Sequence, residues 1–311
     1  MPRTPRIPPR PAVSGAPTGA DPAPAARISA VLVSFETGPA LLESLRAVLA
    51  DPGVHEVVLV DNGNSRATRA RVAEVAARDP RLRLLQGHGN IGFARACNYG
   101  AALSRGDHIL FLNPDAVVEP GAARRLLEAG RGRAQPWLAG GRLLREDGRE
   151  QRGARRGALT FASAFSSFTP LHRLPGFSSL HWENQPLPEG PQDIPTVSGA
   201  FLLMPRATFA ALGGFDPGYF LHVEDIALCR SVRAAGGAVI FAPEARALHY
   251  GSTSNVPRLF VEWHKLRGFL RYFWMQGGPL SKAGTVVGAP LMAAAILGRA
   301  AWIGLREAFG R

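Results

Sequence analysis

Cysteine is scarce: Cys97 and Cys229 are the only two in 311 residues. Two thiols with no CxxC spacing exclude a disulfide framework and a cysteine-built metal site. Both fall inside helical patterns, where they read as small core residues, and unpaired thiols suit a reducing cytoplasm. Acidic charge is also short, with 24 Asp+Glu against 36 Lys+Arg and a formal net charge of +12. That balance favours anionic partners, whether nucleic acid, acidic lipid headgroups or phosphorylated substrates. The excess is mostly arginine and is spread along the chain without a block of five or more. This argues against nucleic acid and leaves a membrane surface or a phosphate-bearing substrate. Aromatic residues are missing from residues 1–26, which are rich in Pro, Ala and Gly. Such a stretch cannot build a core and is predicted to be a disordered tail. Its arginines are interrupted by prolines and no apolar h-region follows, so it does not read as a secretory signal.

What is present starts at Ile28. ISAVLVS, EVVLVDN, LRLLQ and DHILFLNPD are short apolar runs of strand length, alternating with helical patterns that open at Pro39, Ser65, Phe93 and Pro120. Four such strands predict an α/β fold with a mostly parallel central sheet flanked by helices. Ligands of these sheets bind beyond the carboxyl ends of the strands. Polar residues gather there: Ser34 to Glu36, Asp61 and Asn62, Asn90, and Asn113-Pro114-Asp115. From Gly130 to Ile194 the pattern weakens into Arg-, Ser-, Phe- and Pro-rich sequence, predicted to be mobile loops around an acceptor. Regular patterns return with a strand in TVSGAFLLMPR, helices at ATFAALGG and from Val223 to Ala235, and a strand in AVIFAP. The expected division is a domain over 27–256, with halves over 27–129 and 130–256, and a helical extension over 257–311.

That extension is basic and aromatic from Phe260 to Trp274, then apolar from Gly284 to Leu305 apart from Arg299. The second stretch has the length of a membrane span, but Ala and Gly dominate it and Pro290 interrupts it. Helices lying on an anionic membrane surface are the preferred reading over a span or a packed helix.

Five features carry chemistry. Asp115, just past a buried strand, is placed to ligate a divalent cation bridging two phosphates, and hard oxygen ligands suit Mg²⁺ or Mn²⁺. Asn-Pro-Asp is equally good turn chemistry. Glu224 and Asp225 begin a helix, where its dipole favours anions, and point about 100° apart, so at most one faces a given reacting atom. A carboxylate there can act as a general base toward a hydroxyl; a solvated helix cap is the plain alternative. His249 follows a strand and could complete a metal site or pair with phosphate, although a lone histidine is more often structural. Asp61 and Asn62, in VLVDNGNS, can hydrogen-bond a base and a ribose. The glycines of GNIGFARACNYGAA let backbone N–H groups approach a phosphate ahead of a helix.

In order and spacing, VSF, DNGNS, GNIGFARACN and NPDA, followed by SGAFLLMPR, GGFDPGYF, EDIALCRSVRAAG and HYGSTS, resemble glycosyltransferase family 2, its rhamnosyltransferase-like members above all. The resemblance covers Ile28 to Ser254, about three quarters of the chain. It implies a GT-A fold and an inverting, metal-dependent transfer of a sugar from a nucleotide diphosphate, dTDP-rhamnose first. The acceptor would be a saccharide, free or polyprenyl-linked, in cell-surface polysaccharide synthesis, with the enzyme peripheral at the inner face of a bacterial cell membrane. By resemblance Asp115 is a metal ligand supported by Asn113, and His249 joins the metal or diphosphate. Ser34, Asp61 and Asn62 contact the nucleoside, while Asn90, Gly92 and Asn98 shape the donor pocket. Asp225 is preferred over Glu224 as the base, with Glu224 positioning acceptor or base. The chain departs from the family pattern in three places. Glu36 stands where Asn is usual and joins the donor contacts, Ala227 replaces an acid, and Arg95 replaces a small residue.

Two rival readings stand beside this one. A GT-A-like domain could bind nucleotide sugar or glycan without catalysing transfer. A nicotinamide-dependent oxidoreductase is suggested by the GxGxxG match at Gly87, Gly89 and Gly92, although that match follows the third strand and lacks the expected acid.

Overall fold

The computed structural model describes residues 26–168, 180–251, 253–276 and 278–309. Apart from Ala26, the expected disordered tail lies outside the described residues. The first half runs β1 (Ile28–Phe35), α1 (Ala40–Ala50), β2 (Val54–Gly63), α2 (Arg66–Arg78), β3 (Leu82–Leu85), α3 (Phe93–Leu103), β4 (His108–Leu112), β5 (Ala116–Val118) and α4 (Ala122–Gly130). The chain continues through β6 (Trp137–Leu144), β7 (Arg155–Arg156), α5 (Phe161–Phe168), β8 (Gln192–Asp193), β9 (Thr196–Val197), β10 (Phe201–Pro205) and α6 (Arg206–Ala211). It then passes through α7 (Glu224–Ala234), β11 (Ala238–His249), α8 (Arg258–Gln276) and α9 (Pro279–Phe309).

One sheet organises the molecule, in the order β3-β2-β1-β4-β10-β6-β11-β5 with β8 at the side of β11. β3, β2, β1 and β4 are parallel, as are β6 and β11, while β10, β5 and β8 run antiparallel to their neighbours. Strand alternation sends successive side chains to opposite faces. Ala30 and Leu32 of β1 therefore pack with Leu41, Leu45 and Val48 of α1. Val31 and Val33 join the other layer, with Ala94, Ala96 and Cys97 of α3 and Ile226 and Cys229 of α7. Each fully buried aliphatic side chain contributes about 1.5–3 kcal/mol, so two packed faces fix the register of the strands and hence the level at which their carboxyl ends stop. Both cysteines are buried and free, as expected of small core residues.

The expectation of loops from Gly130 to Ile194 is corrected. β6 lies within the central sheet between β10 and β11, and β7 pairs with β9 in a small second sheet. β6 reads poorly as a strand because WLAGGRLL carries adjacent glycines. They are there for packing: a Cβ on Gly140 would overlap Val197, and one on Gly141 would overlap Phe201.

α8 and α9 pack on the core through Leu266, Phe269, Tyr272, Phe273, Met292 and Ile296. Among the described residues no helix is long and apolar enough to cross a membrane. α8 is more than an appendage, since His264 stacks on Phe220 with ring centroids 4.4 Å apart, next to the segment that leads into α7.

Candidate active site

A cavity of about 830 Å³ opens at the carboxyl ends of the parallel strands, where ligands of open α/β sheets bind. Asp115 lies just beyond β4, and β11 ends on His249 beside it. Asp115 Oδ1 is 3.1 Å from His249 Nε2, and Asp115 Oδ2 accepts a 3.0 Å hydrogen bond from Thr253 Oγ1. Burial pushes the Asp115 carboxyl up, but His249 and Thr253 outweigh it and hold it below its ordinary value. On its far side His249 Nδ1 meets Gln151 Oε1 at 2.5 Å, and Asn113 Nδ2 approaches Nε2 at 3.2 Å. With Gln151 accepting from Nδ1–H, Nε2 and Asp115 Oδ1 stand side by side, where one cation could take both as ligands. Among the described residues no group of three or more His, Cys, Asp or Glu side chains could hold a metal. Two protein ligands fit an ion that takes the rest of its shell from water and substrate phosphates, as Mg²⁺ commonly does.

Glu224 and Asp225 start α7 and line the same cavity. Asp225 Oδ2 receives Arg156 Nη2 at 2.5 Å and Gly199 N–H at 2.9 Å, while Oδ1 accepts from Ile226 N–H at 2.8 Å. Gly199 has to be glycine for this approach, because a Cβ there would stand 2.9 Å from Asp225 Cβ. Burial raises the Asp225 carboxyl, but Arg156 and the two amides overcome it and the net direction is down. Glu224 moves the other way, pushed up by burial and then by the Asp225 charge, and its Oε2 has no hydrogen-bond partner among the described residues. The pair therefore separates into an ionised acid and an acid that holds its proton more tightly.

On the donor side Asn62, Asn90, Gly92 and Asn113 line the cavity. Asn62 Nδ2 donates to Gly92 O at 3.3 Å, and Asn90 Oδ1 accepts from Gly92 N–H at 3.1 Å, which sets the loop ahead of α3. Gly92 adopts φ +84°, and a Cβ there would stand 2.8 Å from Phe220 O. Ser34, Glu36, Asp61 and Asn98 are not among the lining residues. Asp61 Oδ1 accepts from Gly63 N–H, Asn64 N–H and Asn64 Nδ2, and Asn64 Nδ2 also reaches Ser34 Oγ at 2.7 Å. Glu36 sits at φ +47°, bonded through its backbone to Gly63 and Asn255. Asn98 exchanges two hydrogen bonds with the backbone of Phe215, at 2.7 and 2.9 Å, tying α3 to the GGFDPGYF loop.

The family model for glycosyl transferase family 2 matches residues 29–207, more than half of the chain. The chain belongs to glycosyltransferase family 2. It is similar to the N-acetylglucosaminyl-diphospho-decaprenol L-rhamnosyltransferase of Mycobacterium tuberculosis, 30% identical over 247 residues that cover 72% of this chain and 76% of that protein. Among solved structures it resembles the mannosyltransferase PcManGT from Pyrobaculum calidifontis in complex with GDP-Man and Mn²⁺ (TM-score 0.55, 17% identity, 94% of this chain and 78% of that one). GalNAc-T7 with UDP, GalNAc and Mn²⁺ is also similar (TM-score 0.57, 16% identity, 81% of this chain and 49% of that one). These two likenesses show the GT-A fold. The enzyme is thus a rhamnosyltransferase-like glycosyltransferase, and the GxGxxG match is a loop of a family 2 domain, which displaces the oxidoreductase reading.

Within the family 2 site, four side chains were given no role by the motifs: Gln151 and Thr253, which buttress His249 and Asp115, and Arg156 and His222, which stand by Asp225. Arg156 lay in the stretch expected to be loops. His222 was within reach of a sequence reading, as a histidine two residues before the acid pair.

Proposed function

We propose that the chain is an inverting, metal-dependent transferase that moves a sugar, rhamnose first, from a nucleotide diphosphate to a saccharide acceptor carried on a polyprenyl diphosphate, in cell-surface polysaccharide synthesis. The observation that carries this reading is the convergence of Asp115 with His249 and of Asp225 with Glu224 on one cavity at the strand ends. Acceptor and donor class follow the name of the mycobacterial relative. Asn62, Asn90, Gly92 and Asn113 take the donor directly. Ser34, Asp61 and Glu36 hold the nucleoside loops in shape, and Asn98 fixes the wall behind them.

Asp225 is the base. A carboxylate offers about four lone-pair sites, and Arg156, Gly199 and Ile226 fill three, so one on Oδ1 is left for the acceptor hydroxyl. As the hydroxyl oxygen attacks the anomeric carbon, its proton passes to Asp225. The bond from that carbon to the diphosphate oxygen breaks on the opposite face, and the electron pair leaves with the nucleoside diphosphate. A Mg²⁺ or Mn²⁺ ion held by Asp115 and His249 supplies charge neutralisation for that leaving group. The test is thermal stabilisation by nucleoside diphosphates and their sugars, with and without Mg²⁺ or Mn²⁺. One nucleotide should raise Tm only with metal, and Asp115→Asn should abolish the metal-dependent part. Equal stabilisation in chelator would sink the metal assignment, and no response to any nucleotide would sink the donor.

A lipid-linked acceptor also gives the extension a role at an anionic membrane surface. Leu259, Trp263 and Trp274 of α8 are exposed, and so are Val286, Val287 and Leu291 of α9, with Lys282 placed over the Trp274 ring at 5.5 Å. Apolar side chains flanked by aromatic and basic ones are the composition of helices that lie in the headgroup boundary. Trp263→Ser with Val287→Ser should lower binding to vesicles containing anionic lipid several-fold. Unchanged binding would remove the membrane from the proposal and leave the transferase reading intact.

A further inference from the structure

Three residues lining the cavity around Asp225 carry buried polar atoms with no partner among the described residues: Arg156 Nε, His222 Nε2 and Glu224 Oε2. Folded proteins pair nearly all such atoms, and leaving one unpaired costs about 1–3 kcal/mol. Several at one place indicate a ligand with hydrogen-bonding groups on adjacent atoms. The backbone here is also held in an uncommon state. His222 and Val223 have φ of +66° and +72°, and for a β-branched residue such as valine that region is a true outlier. Val223 is buried in the core, and Gly268 of α8 lies against it so closely that a Cβ there would meet Val223 Cγ2 at 3.0 Å. Packing thus pays to keep His222 turned where it is, a pattern found at functional sites.

Arg156 is oriented by two bonds, from Nη2 to Val197 O at 2.9 Å and to Asp225 Oδ2. Its buried Nε–H is left without a partner among the described residues. His222 is neutral: burial first, then Lys265, pushes it down to about 3, against the opposing pull of Asp225. A neutral imidazole can accept or donate one hydrogen bond, which suits a hydroxyl and gives no preference for an anion.

The geometry points to an acceptor cradle in which Arg156 positions the Asp225 carboxylate and, together with His222, hydrogen-bonds the saccharide hydroxyls flanking the one that attacks. The ligand class is a sugar ring with a hydroxyl on either side of the reacting oxygen. This rests on the reading of Asp225 as base. Arg156 and His222 are positioning and recognition residues, and the proton goes to neither.

Steady-state transfer to the saccharide acceptor and hydrolysis of the donor by water, measured side by side, test the cradle. His222→Phe keeps the ring volume and removes both nitrogens. It should raise the acceptor KM roughly tenfold, the worth of one or two hydrogen bonds, with donor KM and donor hydrolysis little changed. His222→Gln should recover most of the loss. Arg156→Gln should do the same to acceptor KM and also move the acid limb of the kcat/KM profile to higher pH. The groups facing Asp225 are Glu224 from its own helix, Arg156 from β7 and His222 from the preceding turn, with Lys265 of α8 behind His222 and Cys229 one turn on. Arg156 is the principal one holding its proton off, so losing it lets the base protonate earlier as pH falls. Should Arg156→Gln fail to fold, Arg156→Lys keeps the charge and should hold the acid limb in place while raising acceptor KM. An unmoved acid limb in Arg156→Gln, or a His222→Phe enzyme with wild-type acceptor KM, overturns the cradle. Full transfer by Asp225→Asn overturns the reading beneath it instead, and the two failures are thereby told apart.

Discussion

Along the donor side of the cavity, most polar groups at the strand ends satisfy one another, Asn62 Oδ1 excepted. Asp61 gathers three donors within its own turn, Asn64 bridges to Ser34, and Asn62 and Asn90 both fasten the backbone of Gly92. On the acceptor side more such capacity is left open. Asp225 is held by three donors, yet Arg156 Nε, His222 Nε2 and Glu224 Oε2 around it have no partner among the described residues, and the backbone at His222 and Val223 is strained. A nucleotide is a large ligand recognised by shape and phosphate charge, and a rigid preorganised loop suits it. An acceptor hydroxyl must be aligned on one base, so the acceptor side keeps hydrogen-bonding capacity open until the saccharide supplies the partners.

The largest expected effect separates the two sides completely. Asp225→Asn preserves shape and removes the proton acceptor, so transfer should fall by about 10²–10⁴-fold, the usual size of a lost general base. Metal-dependent stabilisation by nucleotide should survive, because the donor side is built without Asp225. Loss of nucleotide binding together with transfer would mean that the two sides are one unit, and the comparison would break.

A smaller effect is expected from Gly92→Ala, which loads the donor loop where it meets Phe220. At φ +84° an alanine is strained, and its Cβ would press on Phe220 Cδ2 and O at 2.8 Å. Phe93 N–H donates to that same Phe220 O at 2.7 Å, so the neighbour cannot retreat without giving up a hydrogen bond. The cost should be about 1–3 kcal/mol, read from the denaturant midpoint at constant m-value, and nucleotide binding should weaken with it. A neutral midpoint would show that the loop is softer than its hydrogen bonds imply.

The same contrast explains what could be read from the sequence. β1, β2 and β4 were legible because a strand buried on both faces is a nearly unbroken apolar run, β3 as a shorter run at the sheet edge, and the strand-end residues Asn62, Asn90 and Asp115 follow from where those runs stop. β6 was not, since Gly140 and Gly141 answer to Val197 and Phe201, partners about sixty residues away that no local pattern reveals. Arg156 was hidden in the same way, because its meaning lies in a contact 69 residues along the chain. Asn98 shows the reverse difficulty. It lies in a motif that reads as donor-binding, and only the fold reveals that its amide is committed to Phe215. Local pattern reports which residues are buried; polar function depends on which distant groups they meet.

The smallest expected effect concerns Glu224, the acid that sits against the base without sharing its state. Burial and the Asp225 charge raise its carboxyl to about 8, above the ordinary glutamate value that applies to the unfolded chain. The sign follows from linkage. Between those two values the folded protein binds the additional proton, so stability falls as pH rises through that window and the full penalty is present above it. Glu224→Gln keeps the shape and removes the titration. Its Tm should match wild type near pH 4, where both side chains are neutral, and exceed it by a margin that grows toward pH 8. Parallel Tm curves across this range would place the Glu224 proton elsewhere. Asp225 would then share its burial penalty, and the division of the pair into one ionised and one protonated acid would fail.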